Sequence, residues 1–399
     1  MTLRALGTVA VFASLGSVAC SSGSQEPASK NCSPTGDIPC YVGKAEPCVG
    51  YNSGWAGDEY CMKPPDQGYQ LHVGPADFSN PDEVAKYVLP PGGITESDPR
   101  AKVVGFGQPD VDWCYNVKAP NAEPFYSNQY YSHMRPGSHH QIIFALGGPV
   151  PDSTGMDDCS TRDSAVIGGA TFLAGATRAV QDAAMFGGAP EDERIASETP
   201  AHQQVSINLH FVNITDKPKM MEIWVNMIAI DYPVSEIKQR IKAIEWYGGV
   251  GMDIPPNTHT TIQGAADGSC TPPEDLRILG VTGHVHASTT RFAMFVQRAG
   301  ETTRTQVFED YDWAEPTVFR YNSKLTNTAP DPVSKTPGSA ISGQLMAHVG
   351  DQFSWECEVI NKRQVNLTFS DRAYDGEMCN VFGMFSSTNP QGPWSCFSF

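Results

Sequence analysis

The sequence predicts an all-β protein: two antiparallel β-sandwich domains in tandem, jelly-roll-like, behind a small disulfide-stapled N-terminal lead-in. Its 37 glycines and 31 prolines, with charged residues at only 18%, describe a chain that turns often and has few long exposed helices. No predicted strand alternates with a long helix, which disfavours a parallel α/β sheet. With 399 residues the chain is long enough for about two domains.

The first segment, residues 1–20, is predicted to be an export signal of bacterial type. One basic residue, Arg4, precedes an apolar run that is too short to span a bilayer and ends in small residues. Two interpretations stay open: cleavage after Ala19, or a lipoprotein site with Cys20 as the lipidated residue. Both interpretations place the protein outside the cytoplasm, in the periplasm, in the medium or on the cell surface. In the lipoprotein interpretation, Cys20 would attach it to the outer face of a membrane.

Residues 21–69 are predicted to form a tether and a Cys-rich lead-in. Small polar residues over 21–31 are typical of a flexible tether, and the next thirty positions crowd together Cys32, Cys40, Cys48 and Cys61, whose pairing the sequence leaves open. Of the 11 cysteines, ten remain when Cys20 is set aside. An even number in an exported chain predicts disulfides throughout.

The two domains are predicted to span 70–249 and 250–399, with a boundary in the glycine- and proline-rich stretch 248–257. Alanines and a leucine predict one helix around 174–185. Short β-like runs predict first-domain strands at 102–106, 141–146, 205–212 and 221–230. Second-domain strands are predicted at 277–282, 290–297, 317–321, 352–359, 364–369 and 379–385.

Four motifs rich in histidine or methionine indicate metal binding. They are Ser138-His139-His140-Gln141, Asn208-Leu209-His210-Phe211, Gly283-His284-Val285-His286 and Gly376-Glu377-Met378-Cys379. In chain order they offer three imidazoles, then two imidazoles and a thioether. A thioether is a soft ligand that favours Cu(I), so this set suits two copper sites better than one zinc site.

The spacing within these motifs sets geometric conditions. His284 and His286 are two apart, and on a β-strand residues at that spacing project to one face. His139 and His140 are adjacent, so one metal can take both only at a strand end or a bulge, which Gly137 permits. The structural alternative is that the histidines lie on a solvated strand face and that Met378 packs in a core.

Composition and missing motifs exclude several other functions. A formal net charge of −17 argues against nucleic acid and against an anionic membrane surface as partner. The sequence has no Gly-x-Ser-x-Gly elbow, no His-Glu-x-x-His zinc helix, no phosphate-binding loop and no Cys-x-x-Cys pair.

The four motifs resemble those of the copper type II, ascorbate-dependent monooxygenases, the family of peptidylglycine α-hydroxylating monooxygenase and dopamine β-monooxygenase. The resemblance extends from about residue 100 to the C-terminus. It also includes Val349-Gly350-Asp351, Trp355-Glu356-Cys357 and Asn380.

The resemblance implies a catalytic protein with two copper ions per chain. His139, His140 and His210 would hold an electron-transfer copper, whereas His284, His286 and Met378 would hold the copper at which dioxygen reacts. Ascorbate would be the reductant, and a substrate C–H bond would become C–OH. The family fold has two β-sandwiches with a solvent-filled gap between the metals. The implied disulfides are Cys114–Cys159, Cys270–Cys396 and Cys357–Cys379.

The resemblance also bears on the substrate, a small molecule or a peptide-like compound. Asn380, Phe382 and Met384 occupy the substrate side of the second site. The peptide-amidating enzymes carry an arginine and a tyrosine that bind the substrate carboxylate, and this chain has Thr282 and Phe382 there. We therefore expect a less charged or aromatic substrate rather than a peptide with a free carboxylate.

Two other interpretations stay open. The first is a non-catalytic secreted copper-binding protein on the same fold, and the second is a structural sandwich with incidental histidines. Oxygen consumption that depends on ascorbate separates the enzyme from the first alternative. The number of copper ions bound per chain tests the second.

Overall fold

The computed structural model of this protein describes residues 46–92, 110–159, 170–177, 180–183, 194–370, 373 and 376–398. The chain is 49% strand and 5% helix, which confirms the all-β prediction. One α-helix, α1 (Pro81–Val84), and the 3₁₀ turns Asp58–Tyr60, Ala85–Tyr87 and Val234–Glu236 lie in the described part. The strands there are β1 (Gly68–Val73), β2 (Val88–Leu89), β3 (Asp110–Lys118), β4 (Phe125–Met134), β5 (Ser138–Ala145), β6 (Asp157–Asp158), β7 (Thr171–Ala176), β8 (Val180–Ala183), β9 (Ile195–Thr199), β10 (Gln204–Val212), β11 (Lys219–Met220), β12 (Ile223–Ala229), β13 (Gln239–Gly248), β14 (Asp253–Ile254), β15 (Thr258–Gly264), β16 (Leu276–Val285), β17 (Thr289–Gln297), β18 (Arg304–Asp310), β19 (Phe319–Arg320), β20 (Leu345–Ala347), β21 (Gln352–Asn361), β22 (Leu367–Thr368), β23 (Cys379–Ser387) and β24 (Trp394–Phe397).

Strands β1 to β12, which we call the first half, form two sheets around one core, and the strands from β13 onward are called the second half. The five-stranded sheet has the order β6-β3-β10-β5-β7, and the other layer is the β1-β12-β4-β9 part of an eleven-stranded sheet. Residues of period two on β10, such as Leu209 and Phe211, join Ile223 and Val225 of β12 in this core and are fully buried. Burial of each such side chain stabilises the fold by about 1.5–3 kcal/mol.

The second half is built in the same way around its own core. The four-stranded sheet β15-β21-β17-β18 covers the β13-β23-β16-β19 part of the eleven-stranded sheet. Trp246 of β13 stacks on Trp355 of β21 with ring centroids 5.5 Å apart, and neither side chain is exposed. Aromatic side chains of this kind bury about 150–250 Å² each.

The two sandwiches are not separate along the chain at residue 249. β13 pairs with β23 from Arg240 to Gly248, and its side chains are divided between the cores: Ile241 and Ala243 lie in the first, and Ile244 and Trp246 in the second. β13 also pairs with β9 of the first half, in parallel, at two positions. One sheet therefore runs through both halves.

Strand β23 connects the two cores by the alternation of its side chains. Val381 and Phe385 lie in the second core, whereas Phe382 and Met384 point the other way and pack with first-half residues. Phe382 stacks on Phe172 of β7 with ring centroids 5.6 Å apart. The face of β23 and β16 that carries these residues is therefore covered by the first half.

The predicted helix at 174–185 is wrong where the structure describes it. Residues up to Ala176 belong to β7, which pairs with β5, and 180–183 form β8, which pairs with β4. The burial of β7 alternates residue by residue, so its alanines face a sheet core rather than a helix face. The predicted strand at 102–106, the export signal 1–20, Cys20, Cys32 and Cys40 lie outside the described residues.

Four disulfides cross-link the described part of the chain. Three are the pairs that the resemblance implies, Cys114–Cys159, Cys270–Cys396 and Cys357–Cys379, and the fourth, Cys48–Cys61, closes the lead-in. Disulfides persist in oxidising compartments, so the protein is extracytoplasmic. Within the described ranges, every helix is too short or too polar to cross a bilayer.

Candidate metal centre

A β-bulge on β5 brings His139 and His140 together with His210. The register between β10 and β5 pairs His210 with His140 and then Phe211 with Ser138, so His139 is the extra residue. Gly137 precedes the bulge with φ 100°, a left-handed conformation that favours glycine. The sequence predicts that two adjacent histidines can share one metal only at a strand end or a bulge, and the structure has a bulge there.

The ring nitrogens of this group point toward one another. The ligand atoms of His139, His140 and His210 lie within 4.8 Å of each other. His210 Nε2 lies 2.6 Å from Asp110 Oδ1, and His140 Nε2 lies 3.2 Å from Asn208 Oδ1. The Nδ1 atoms of His140 and His210 are buried without a hydrogen-bond partner among the described residues, and they are available for a metal.

The second set of candidate ligands lies on β16 and at the start of β23. His284 pairs with Asn380 and Val285 with Cys379, so the antiparallel register brings Met378 next to His286. Glu377 Oε1 accepts hydrogen bonds from the backbone N–H groups of His286, at 2.6 Å, and Met378, at 2.9 Å. Both candidate ligands are thereby tied to one buried carboxylate.

The two histidine sets form a single cluster across the two halves. Neighbouring rings of His139, His140, His210, His284 and His286 have centroids 4.7–6.4 Å apart. A solvent-filled gap between two sites, which the resemblance implies, does not separate these rings. The histidine-bearing faces of β5 and β16 pack directly on each other. Each half therefore shields the histidines of the other half from solvent.

Four rings of the cluster, those of His139, His140, His284 and His286, are uncharged at neutral pH. Burial, followed by the neighbouring histidines, lowers the pKa of His139, His140 and His286 well below the ordinary value of 6.5. Burial, followed by His210, lowers the pKa of His284 to about 3. Neutral imidazole is the form that binds a metal, so no proton has to be displaced from these rings.

The donor set fits copper. Both ring nitrogens of His286 are buried and, within the part of the chain that the structure describes, have no hydrogen-bond partner. A buried polar atom without a partner is costly, and a metal would satisfy it. The side chain of Met378 is 9% exposed, and its sulfur accepts a hydrogen bond from Asn380 Nδ2 at 3.5 Å. Imidazole with thioether is a donor combination that favours copper over zinc.

A cleft that is partly open to solvent lies between the halves beside the cluster. His140 and His284 line it together with Tyr130, Phe172, Phe382 and Met384. None of the described lining residues is Asp, Glu, Lys or Arg. Of the three predicted substrate-side residues, Phe382 and Met384 line this cleft, whereas Asn380 directs its side chain to Met378 and to the backbone N–H of Gly248.

A loop of the second half covers the first histidine set. Trp313 packs on His139 with ring centroids 5.4 Å apart, and Pro316 O accepts a hydrogen bond from Thr177 Oγ1 at 3.1 Å. Asp310 holds this loop by accepting backbone N–H groups from Tyr311 and Thr317, both at 2.7 Å. The cover therefore depends on contacts from both halves.

Several residues of the centre are not predicted from the sequence. β3 is absent from the predicted strands, so Asp110 had no assigned neighbour, although alternation in Asp110-Val111-Asp112-Trp113 was a usable signal. Glu377 belongs to the motif Gly376-Glu377-Met378-Cys379, but the sequence does not predict that it binds the backbone beside the candidate ligands. The loop that carries Trp313 is far from His139 in sequence, so no local pattern reveals that contact.

No family model matches the chain, and no curated protein is significantly similar to it. Among solved structures, PNGF-II is similar over 82% of this chain and 66% of its own length, at 7% identity and a TM-score of 0.26. BuGH86 in complex with neoagarooctaose is similar over 69% of this chain and 32% of its own, at 8% identity and a TM-score of 0.14. At these TM-scores neither similarity carries an argument about fold or function.

Proposed function

We propose that this protein is a copper-dependent monooxygenase that uses dioxygen and a two-electron reductant such as ascorbate to hydroxylate a substrate C–H bond. The balanced reaction converts R–H, O₂ and ascorbate into R–OH, water and dehydroascorbate. The observation that carries the proposal is the cluster of five imidazoles beside the thioether of Met378. Three of these rings, those of His140, His210 and His286, have buried nitrogens with no hydrogen-bond partner in the described structure.

Two groups of residues would hold the metal ions. His139, His140 and His210 form one group, and His284 and His286 with Met378 form the other. Bound copper supplies one-electron transfer and reactivity toward dioxygen. The protein supplies the positions of the ligands, and burial keeps the rings of His140 and His286 neutral by lowering their pKa.

Carboxylates and amides outside the ligand set orient the ligands. Asp110 fixes the ring of His210, and Asn208 fixes that of His140, and in both rings Nδ1 is left without a hydrogen-bond partner in the described structure. Glu377 holds the backbone beside His286 and Met378. Loss of such a partner weakens metal binding by about 10–100-fold in metalloproteins generally.

The cleft supports an uncharged, apolar or aromatic substrate. Its rings from Phe172 and Phe382 offer stacking surfaces, and it has no described cationic residue that could pair with a carboxylate. A substrate in the cleft would touch His140 and His284 directly. The resemblance supports the same substrate class. The peptide-amidating enzymes carry carboxylate-binding residues at the positions where this chain has Thr282 and Phe382.

The first test is the number of copper ions bound per chain after loading and dialysis. We expect two in the wild type, and weaker binding of one of them in Met378→Ala. Met346→Ala is the matched control, because Met346 is a half-buried methionine on β20 that has no place in the cluster. One copper or none in the wild type would contradict the proposal.

The second test is oxygen consumption that depends on ascorbate and on an added substrate. Uncharged aromatic compounds should support turnover, with stoichiometric hydroxylated product, and carboxylate-terminated peptides should not. Two tightly bound coppers without turnover on any substrate would favour the alternative function, a non-catalytic copper-binding protein. Best turnover with carboxylate-terminated peptides would reject the proposed substrate class.

A further inference from the structure

A fully buried arginine lies four residues before the first histidine of the bulge. Arg135 connects β4 to β5, and its Nε donates to Glu222 Oε2 at 2.6 Å. Its Nη2 donates to Asp58 Oδ1 at 2.9 Å. A buried guanidinium destabilises the fold unless it is paired and hydrogen-bonded, so these partners are required.

Most of the other partners of Arg135 come from the stapled lead-in, which we define as residues 46–62 with the Cys48–Cys61 disulfide. Ser53 Oγ accepts from Nη2 at 3.0 Å, and the carbonyl of Ala56 accepts from Nη1 at 2.9 Å. Tyr51 places its ring 5.8 Å from the guanidinium and donates its hydroxyl to Glu222 at 2.9 Å. The lead-in therefore closes the pocket in which Arg135 is buried.

The lead-in also packs on the next residue of the same turn. Gly57 has φ 97°, and a Cβ built there would lie 2.5 Å from Pro136 Cδ. Only a residue without a side chain can approach Pro136 so closely. The backbone of the lead-in thus touches the segment between Arg135 and Gly137.

This turn determines how the bulge starts. The carbonyl of Arg135 accepts from Ser138 N at 3.3 Å, and the carbonyl of Gly137 accepts from Val212 N at 2.7 Å. His139 is the unpaired residue of the bulge, so the ladder with β10 does not hold it. Its orientation depends on the turn before it, on the rings around it and on a hydrogen bond with the backbone of Ala314.

We propose that the stapled lead-in is a positioning element of the three-histidine site. It holds Arg135 and Pro136, and through them it sets the turn from which His139 and His140 project. The metal part of this inference rests on the proposed function. Asp58, Gly57 and Arg135 are positioning residues, since none of them is a candidate ligand.

The experiment compares Asp58→Asn and Gly57→Ala with the wild type as full chains loaded with copper. Competition titration gives the affinity of each copper, and Cu(II) electron paramagnetic resonance reports the geometry of each site. We expect about 10-fold weaker binding at the three-histidine site with an altered spectrum. Copper bound by His284, His286 and Met378 should stay within about twofold of the wild-type affinity.

The matched control is Glu46→Gln. Glu46 pairs with Lys63 at 3.0 Å at the exposed rim of the lead-in and does not contact Arg135. This substitution should leave both coppers unchanged. If Asp58→Asn and Gly57→Ala lowered the melting temperature but left the affinity and spectrum of the three-histidine site unchanged, the lead-in would only stabilise the fold, and the proposal would be rejected.

A metal-free readout separates this inference from the proposed function. The imidazole nitrogen and proton shifts of His139 and His140 should move in Asp58→Asn, and those of exposed His259 should not. If the wild type bound no copper, the proposed function would fail, while these shifts would still decide whether the lead-in positions the histidines. Unmoved shifts would overturn the inference.

Discussion

His140 of the first half and His284 of the second half lie with ring centroids 4.7 Å apart, at an angle of 70°. His140 lies on β5 and His284 on β16, on opposite sides of the contact between the halves. The two residues are therefore far apart in sequence. This contact makes one cluster out of two ligand sets. It also gives the cleft a histidine from each proposed metal site.

Because of this contact, we expect a substitution in one ligand set to change the metal geometry at the other. His140→Ala should remove a ligand from the first set, and it should also change the Cu(II) spectrum of the copper held by His284 and His286, because the ring that packs on His284 is lost. Electron paramagnetic resonance of half-loaded protein measures this effect. His259→Ala, at an exposed position, is the control. An unchanged second spectrum would show that the sites are independent.

Asp110→Asn should weaken copper at the three-histidine site by about 10–100-fold. The carboxylate accepts from His210 Nε2 at 2.6 Å, and both side chains are buried. The amide keeps the shape but loses the charge that makes the bond strong. Competition titration measures the affinity, and Asp253→Asn at an exposed position is the control. Equal affinities in all three proteins would contradict this role.

The Cys357–Cys379 disulfide should support the second ligand set. It ties β21 to the residue after Met378, and Trp355 Nε1 donates to the Cys379 carbonyl at 2.7 Å. A closed loop of 22 positions stabilises the fold by about 3 kcal/mol in the chain-entropy model. The double variant Cys357→Ala, Cys379→Ala should lose stability and also bind the second copper more weakly.

The control for the disulfide is the double variant Cys270→Ala, Cys396→Ala. It removes a disulfide of sequence separation 126 in the same core, away from Met378. Thermal unfolding and copper titration of both double variants separate stability from metal binding. If the Cys357–Cys379 variant kept its copper affinity, the disulfide would have no part in presenting Met378.

Thr282→Arg should shift the substrate preference toward carboxylates. Thr282 lines the cleft, and it pairs with Phe382 in the register of β16 and β23. A charge-assisted hydrogen bond contributes about 1.5–3 kcal/mol, which corresponds to about 10–100-fold in relative kcat/KM. The measurement is turnover of matched substrates with and without a carboxylate, and Thr282→Gln is the uncharged control. No change in the ratio would place the substrate elsewhere.

Asp58 predicts a pH dependence of stability. Burial alone would raise its pKa, but hydrogen bonds from Ser53 and Arg135 lower the pKa below the ordinary value of 3.8. A carboxylate with a depressed pKa stabilises the fold above its unfolded pKa, and this contribution is lost as the pH falls through the folded pKa. Asp58→Asn should therefore be less stable than wild type at about pH 6, with a difference that shrinks toward about pH 3.

Chemical denaturation across this pH range measures the difference, and Glu46→Gln supplies the baseline for an exposed carboxylate. A difference between Asp58→Asn and wild type that stays constant down to the lowest pH would mean that the charge on Asp58 does not contribute. In that case the packing of the lead-in on Arg135 and Pro136 would carry the stabilisation.

Local patterns located the strands that carry candidate ligands, although the runs predicted at 141–146 and 277–282 stop short of His139, His140 and His284. Alternation and β-branched residues predict the runs at 205–212 and 277–282, and the structure has β10 and β16 there. The alanine-rich stretch at 174–185 failed, because alanine is compatible with helix and with a tightly packed strand, and only the pairing of β7 with β5 decides between them. The boundary at 249 stays a prediction, and the pairing of β13 with β23 across it is a long-range contact that no local pattern reveals.

The sequence by itself determined the all-β class, the order and chemical type of the candidate ligands, and the bulge condition that two adjacent histidines impose. These follow from local spacing and side-chain chemistry. Only the tertiary structure decided that His140 meets His284, that Asp110 and Glu377 hold the ligands, and that the lead-in reaches Arg135. Those contacts join residues far apart in the chain, and they exist because sheets bury their apolar faces against each other, which no local pattern encodes.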